Sequence, residues 1–482
     1  MSVDDKKRYL ILKDPNIYKG LILLAFPLML NNLIRTLHDL IDMYFVSKID
    51  GYASEAITSI GVTFPITFTY ISLGMGLSVA GTALISQLYG SSQFERSREY
   101  ATHLVMIALI IGLVMNVLGF FLASPIMHLM GAEGFTLENS IGYLRIRAFE
   151  LPFLFLFFAF TAIRQSSGDT ITPVILGVVA MVLNTILSPI MIVDQLDIFQ
   201  NVTVFNRSLA FTINGFDLGV RGASLATVIA NVVIMPFAFV LLLKSKTGIH
   251  IYSRYLKPNI DIVKEIISTA IPASFGQAIT AIGFGVLNGF ILSYGEETAA
   301  AFNIGNRIAS MFLHPVMAIG GVLSAYIGQN IGNLNPKRAK ETFYKGLRLS
   351  LVLMTSMAVI GFFVREPMAK IFLADNPFAL DLAVTYMYYL FIGLPLMAIF
   401  QTYIGVYNGN GKTHLTFWLG IIRLWGIRIP LILAFKNLTD LGSSGIWYAM
   451  LSSNIIIAVI GFFLYKLYIT FEPKVQIKPT IA

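Results

Sequence analysis

The chain has 482 residues, 56% of them hydrophobic and only 12% charged, with 37 Phe, 19 Met, no Cys and a mean hydropathy of +0.74. A soluble domain of this size cannot bury so much apolar surface, so a bilayer is needed to cover it. The lack of Cys excludes a disulfide scaffold, a thiolate nucleophile and an iron–sulfur cluster. No zinc or nucleotide motif stands in a fitting context, and the net charge of +8 reads as loop bias in a membrane protein rather than nucleic-acid binding.

In chain order, the start Met1–Tyr9 is charged and polar and lacks the short apolar run and cleavage site of a signal peptide. Twelve apolar segments follow, each near the roughly 20 residues that a membrane-crossing helix needs. They cover about 21–46, 56–86, 101–122, 143–163, 172–193, 221–243, 263–292, 299–330, 347–364, 383–406, 414–435 and 445–468. The first, second, seventh and eighth are long enough to tilt or to project beyond the lipid. Three connections are long. Segment 123–142 contains Pro125, Gly131 and Gly134 and no Lys or Arg, and segment 194–220 is polar, with Asp194, Asp197 and Asp217. Segment 244–262 is basic; its Ile249, Ile251, Tyr255 and Leu256, interleaved with His250, Arg254 and Lys257, fit either a plain linker or a short interfacial helix.

Basic residues set an orientation. With the N-terminus inside, 21 Lys and Arg residues fall on the cytoplasmic face, among them Lys6, Lys7, Arg8, Arg96, Arg98, Lys337 and Arg338. Eight fall outside: Lys48, Arg145, Arg147, Arg207, Arg221, Arg365, Lys370 and Lys436. This bias predicts both termini in the cytoplasm of a multi-pass protein of the cell membrane.

The two halves repeat. The run Thr82–Gly90 at the end of span two matches Ser324–Gly332 at the end of span eight. Pro152, Gly168 and Thr170 match Pro395, Gly411 and Thr413 at an offset of 243, and Gly222 and Ala226 match Gly445 and Ala449 at 223, the smaller value reflecting the longer loop between spans five and six. Six spans per unit is an even number, so the repeat is parallel, with its axis along the membrane normal. The expected fold class is therefore an all-alpha polytopic membrane protein with two six-helix lobes. Residues 1–243 form the N-terminal lobe, 244–262 the linker and 263–482 the C-terminal lobe. Two such lobes around a cleft, without soluble domains, point to a transporter rather than an enzyme.

Ionisable groups deep in membrane spans are costly and mark function. In span one, Asn31, Arg35, His38 and Asp42 recur at i, i+4, i+7 and i+11, a single polar stripe on a helix. Asp39 follows Arg35 by four residues and is placed to pair with it. In span five, Asn184 and Ser188 are one turn apart. Gln277 and Asn288 are polar residues in the apolar context of span seven, and Arg423 and Arg428 lie in span eleven. Arg423 is placed to meet an anionic headgroup or substrate; for Arg428, snorkelling to the interface is the plainer reading.

The runs Leu40–Val46, Gly168–Pro173, Gly219–Thr227 and Gly328–Asn333 resemble, in order and spacing, motifs of the multidrug and toxic compound extrusion (MATE) family, over roughly residues 15–470. Within it the first lobe is similar to the branch related to the DNA-damage-inducible F proteins. The resemblance implies a twelve-helix antiporter that exports organic, often cationic and amphipathic compounds against inflowing H⁺ or Na⁺, with the ion handled in the N-terminal lobe. It places the key carboxylate at Asp42 and a matching hydroxyl at Thr227. Asp42, Asn184 and Thr227 then offer oxygen ligands to a Na⁺ ion, or Asp42 a proton site. Where related ion sites often have a second carboxylate this chain has Ser188, which favours H⁺. No organic cofactor, nucleotide or tightly bound metal is expected, and no obligatory protein partner; small organic substrates and membrane lipids are the expected partners.

Candidates for the substrate cleft are Phe64, Phe68, Phe153, Phe157 and Met311, since aromatic and Met surfaces accommodate varied ligands, together with Gln277 and Asn288. The competing function is a flippase for a lipid-linked intermediate or another amphiphile. The topology has a direct test, since no native Cys interferes. Single cysteines at Ser2, Gly295 and Thr480 in turn, labelled with an impermeant maleimide on intact cells, are compared with one at Gly134. Gly134→Cys should react from outside and Thr480→Cys only after permeabilisation; the same response from both would refute the topology.

Overall fold

The computed structural model describes the backbone of residues 3–46, 49, 53–204, 207–244, 249–373 and 376–477, and within these all side chains except those of 3–5, 35–44, 53–54, 57, 195–204, 207–213 and 244. Among the described residues, twelve helices are long and apolar enough to cross a bilayer. The N-terminal six are Ile17–Val46, Ala53–Gly90, Phe94–Leu129, Gly134–Ser166, Ile171–Ile192 and Gly219–Lys244. The C-terminal six are Ile260–Leu292, Glu296–Gly332, Pro336–Leu373, Pro377–Gly409, Thr413–Leu438 and Ser444–Tyr468. A helix satisfies its own backbone hydrogen bonds, which lipid cannot do, and this explains why apolar runs of this length fold so. Many of the helices exceed 30 residues, about 45 Å at the usual rise and longer than a bilayer core of about 30 Å, so they tilt or reach into water.

The structure refines the sequence reading of three connections. Segment 123–142 is not a long loop: helix runs to Leu129 and resumes at Gly134, because the polar residues there sit on helix ends that extend past the lipid. Segment 194–220 forms an antiparallel hairpin, Gln195–Val204 with Arg207–Asn214, pairing from Gln195↔Asn214 to Val204↔Arg207. The linker has a single 3₁₀ turn, Ser253–Tyr255, and no interfacial α-helix among its described residues. Ile249 and Ile251 are buried in the N-terminal apolar cluster instead of facing lipid, while Leu256 is exposed.

The repeat appears in local conformation. Gly168 and Gly411, just past the ends of spans four and ten, have φ of +84° and +70°, a left-handed turn that suits glycine at a helix C-terminus. It also governs how the lobes meet. Gln87 Nε2 donates to the Gly409 carbonyl at 3.0 Å, and Gln329 Nε2 donates to the Ser166 carbonyl at 2.6 Å. Each glutamine closes span two or eight of its own lobe and caps the end of span ten or four of the other. Glycines let the backbones approach this closely: a Cβ at Gly90 would overlap the Gln329 carbonyl, and one at Gly332 the Gln87 carbonyl. Further along, Ser274 Oγ donates to the Leu73 carbonyl at 3.1 Å.

The first spans cross over. Ile11, Ile17, Leu21 and Ala25 are buried in a cluster with Ile319, Leu323 and Tyr326 of span eight. Ile262, Ile266 and Ala270 of span seven join Leu77, Leu84 and Leu88 of span two. Polar contacts follow the same route: Tyr326 Oη donates to the Leu10 carbonyl at 2.9 Å, and Arg338 donates to the carbonyls of Ile11 and Asp14 at 3.0 and 2.7 Å. At the other terminus, the Lys474 N–H donates to Gln87 Oε1 at 2.8 Å. Asp169, after span four, accepts from Lys7 Nζ at 2.9 Å and from Thr172 Oγ1 at 2.7 Å. Burial pushes its carboxyl up, but the Thr172 and Lys7 hydrogen bonds outweigh this and hold it below the usual carboxylate range.

Apart from the Ser274–Leu73 contact, these polar joints lie at the end of the molecule that carries residues 86–94, 166–171, 328–336 and 409–413. Gly332→Val, which places a branched side chain against the Gln87 carbonyl, should wedge that end apart. Ser86, fully buried at the joint, becomes the reporter: Ser86→Cys should react slowly with maleimide alone and much faster with Gly332→Val. Equal rates would show that the glycine contact does not hold the lobes together.

Candidate functional site

Inside the N-terminal lobe, spans four, five and six share a chain of polar groups. Ser188 Oγ donates to Asn184 Oδ1 at 2.6 Å, and Asn184 Nδ2 donates to Thr227 Oγ1 at 3.0 Å. Thr227 Oγ1 in turn donates to the Ala223 carbonyl at 3.1 Å. One turn on, Asn231 Nδ2 lies 3.2 Å from the Thr227 carbonyl and donates to Glu150 Oε1 at 2.7 Å. The second Glu150 oxygen faces Arg147 Nη1 at 2.6 Å. Asn184, Ser188 and Glu150 are 4%, 0% and 2% exposed, so this is a desolvated network in which each member depends on its neighbours.

Spacing explains the assembly. Asn184 and Ser188 are four residues apart on span five and Thr227 and Asn231 four apart on span six, so each pair lines one helix face. Asn31 faces the same lobe: a Cβ at Gly177 of span five would lie 3.3 Å from Asn31 Oδ1. The structure thus brings Asn184, Ser188 and Thr227 together. The side chains of Arg35, His38, Asp39 and Asp42 lie outside those described, although the backbone through them is helical. The Arg35–Asp39 pairing and a cation site that includes Asp42 are therefore outside the described residues. Among the described residues no three His, Asp or Glu side chains gather as metal ligands.

Two members of this network, Glu150 and Asn231, were not among the sequence candidates. A signal was present: Glu150 is an acid between Phe149 and Leu151, well inside span four. The cleft candidates fall into two groups. Phe153 and Phe157 pack on the N-terminal apolar cluster, whereas Phe64 is 61% exposed and stands 5.7 Å from the half-buried Phe68 ring. Met311, Gln277 and Asn288 are exposed on spans eight and seven. Lipid does not accommodate an amide well, and Gln277 and Asn288 are amides exposed on span seven. Arg428 does not snorkel: it is 3% exposed and donates to Ser453 Oγ at 3.0 Å and Asn454 Oδ1 at 2.9 Å, because span twelve offers it hydrogen bonds within the lobe.

Comparisons with known proteins agree with this architecture. The profile of the MatE family matches residues 27–190 and 272–433, once in each half. "Probable multidrug resistance protein YoeA" of Bacillus subtilis is 24% identical over 441 residues, covering 90% of both chains. The multidrug export protein MepA of Staphylococcus saprophyticus is 25% identical over 452 residues, 92% of each chain. Among solved structures, an outward-facing multidrug resistance MATE family transporter of the MOP superfamily superposes with a TM-score of 0.85 at 22% identity, over 96% of this chain and 97% of that one.

Glu150 is the buried charge on which this network turns. Glu150→Gln removes the carboxylate facing Arg147 and should destabilise the protein by about 3 kcal/mol, the cost of breaking a buried pair from one side. Replacing both, with Arg147→Met added, should restore much of the loss. Thermal melts of the purified single and double variants decide this; strictly additive losses would show that the two residues act independently.

Proposed function

The chain belongs to the MatE family, and from that premise we propose that it is a secondary active antiporter exporting organic, amphipathic or cationic compounds in exchange for inward H⁺ by alternating access. It is a multi-pass membrane transporter, not an enzyme. The observation that carries the coupling reading is the convergence of Asn184, Ser188 and Thr227 from spans five and six, on the wall toward which Asn31 of span one turns. In this reading Asp42, further along the same stripe, is the coupling carboxylate, as in the branch related to the DNA-damage-inducible F proteins.

The hydrogen bonding favours a proton over Na⁺. Asn184 Oδ1 is engaged by the Ser188 hydroxyl, and Thr227 Oγ1 both accepts from Asn184 and donates to Ala223. These oxygens are engaged with one another, and Glu150 is held by Arg147 and Asn231, which leaves Asp42 as the carboxylate proposed to titrate. Relatives whose names record multidrug resistance and multidrug export support the substrate class, with the exposed Phe64 and half-buried Phe68 as the aromatic surface proposed for the cleft. With the basic loops in the cytoplasm, the joined end of the lobes is the inner one in this reading, with both termini on the cytoplasmic side of the cell membrane.

Asp42→Asn tests the reading. Asparagine keeps the size but cannot titrate, and so imitates a permanently protonated carboxyl that holds the transporter on one side of its cycle. Purified Asp42→Asn in liposomes should melt like the parent yet lose efflux driven by an imposed pH gradient. A parallel Na⁺ gradient distinguishes the two ions. A variant that keeps the parental rate and its dependence on the pH gradient would place coupling elsewhere.

A further inference from the structure

The C-terminal lobe holds two arginines near the middle of span eleven, Arg423 and Arg428, which are 6% and 3% exposed. The helix there departs from α geometry. Residues Ile422–Arg428 form a π-helical stretch between Thr413–Ile421 and Ile429–Leu438, with Pro430 just beyond. Proline cannot donate the hydrogen bond that an α-helix would require of it, and wide turns of this kind recur at functional sites. The consequence is positional. An α-helix would set residues five apart about 140° from each other, whereas the i→i+5 turn brings Arg423 and Arg428 to one side, and both line a single cavity with Asn306, Tyr386, Trp447 and Asn454.

No Asp or Glu lines this cavity, and among the described residues neither guanidinium has a carboxylate partner. Neutral groups hold them. Arg428 is fixed by Ser453 and Asn454. Arg423 donates Nη1 to Met397 Sδ at 3.2 Å and lies over the Phe400 ring, 4.1 Å from its centroid, while its Nε has no hydrogen-bond partner. A guanidinium carries five N–H donors, so several remain to be engaged. Neutral contacts orient the two charges without cancelling them, and two like charges at the depth of the hydrocarbon are costly until an anion joins them.

The internal repeat shows what is missing. In the N-terminal lobe, Asn231 donates to the buried carboxylate of Glu150. Its counterpart at the offset of 223 is Asn454, and that of Glu150 at the offset of 243 is Gly393. A Cβ at Gly393 would lie 3.4 Å from Asn454 Nδ2. The same place in the fold thus carries a built-in carboxylate in one lobe, and in the other a glycine, space and two cations. We propose that the Arg423–Arg428 cavity is a binding site for an amphipathic monoanion, a carboxylate or phosphate on an apolar or aromatic body. The guanidinium fork matches a carboxylate or phosphate edge, and Tyr386 and Trp447 provide aromatic walls for the body. Such an anion comes either from a lipid headgroup or from a free organic acid.

The test is equilibrium binding to the full-length protein in nanodiscs of zwitterionic phosphatidylcholine, with 2-naphthoate as probe and 2-naphthamide as its uncharged control. Titration calorimetry should show saturable binding of naphthoate, and naphthoate but not the amide should raise the melting temperature. Arg423→Gln and Arg428→Gln should each bind about 10- to 100-fold more weakly, the loss expected for a hydrogen bond to a charged group. Without ligand, each should melt no lower than the parent, since an uncompensated buried charge has gone; a merely structural arginine would give a lower melt. Gly393→Glu, which supplies an internal carboxylate, should also abolish naphthoate binding. In nanodiscs containing phosphatidylglycerol, a competitive loss of naphthoate affinity identifies the lipid headgroup as the natural anion, and unchanged affinity identifies a free organic acid; either result retains the site. Absence of naphthoate binding in phosphatidylcholine, equal binding of the amide, or parental affinity in all three variants would overturn it. Because the readout is binding and not transport, Asp42→Asn should bind naphthoate normally, so this site and the antiport reading stand or fall separately.

Discussion

Inside a hydrocarbon layer no water is available to satisfy a polar group, and the rest of this structure follows from that constraint. Backbone groups are satisfied within helices. Where helices end, side chains take over: Gln87 and Gln329 reach across the lobe boundary to cap Gly409 and Ser166. Polar side chains within spans are gathered inward, as with Asn184, Thr227 and Asn231, since facing lipid would leave them unpaired. Hydrogen bonds and close glycine contacts between the lobes gather at the end that carries Gly90, Ser166, Gly332 and Gly409. The proposed alternating access needs such contacts to be exchangeable, and hydrogen bonds worth about 1 kcal/mol each net can be traded for others at the opposite end.

Much of the architecture was legible as sequence. Twelve spans are readable because lipid imposes both length and apolarity on each, and the repeat because Pro and Gly were kept at corresponding places. Legibility failed where length and apolarity stop being informative. The ends of spans three and four, around Leu129 and Gly134, are helical yet polar, so they read as loop. The hairpin at 195–214 resembles any polar connection, since its pairing depends on a partner strand and not on lipid. The pattern of Ile249 and Ile251 in the linker fits a membrane surface, but tertiary packing claims both.

The candidate site was legible in a different way. Pairs four residues apart, such as Asn184 with Ser188, can be seen on one helix, but nothing in a single chain shows that Thr227 comes to meet them. Glu150 was visible as an isolated acid, yet its partners Asn231 and Arg147 could be assigned only with the structure. The runs at 82–90 and 324–332 illustrate the same limit. Their similarity identifies the repeat, but that each seals against the other lobe depends on the packing of glycines.

A duplicated fold need not keep duplicated electrostatics. Asn231 and Asn454 occupy corresponding positions, but one donates to a carboxylate and the other accepts from a guanidinium. An amide can do both, which makes Asn a residue that survives inversion of the charge beside it. A glycine at 393 in place of a carboxylate, together with arginines on span eleven, therefore needs no different backbone beyond the π-helical stretch. Opposite charges in the two lobes also assign them different ligands. A group that exchanges a proton must be able to lose its charge within the membrane, as a carboxylate does, whereas a guanidinium keeps its charge and can only be neutralised by what binds it. In the proposed reading the N-terminal lobe responds to protons and the C-terminal lobe holds an anion. Two lobes of one repeat would then match in geometry while doing unequal chemistry.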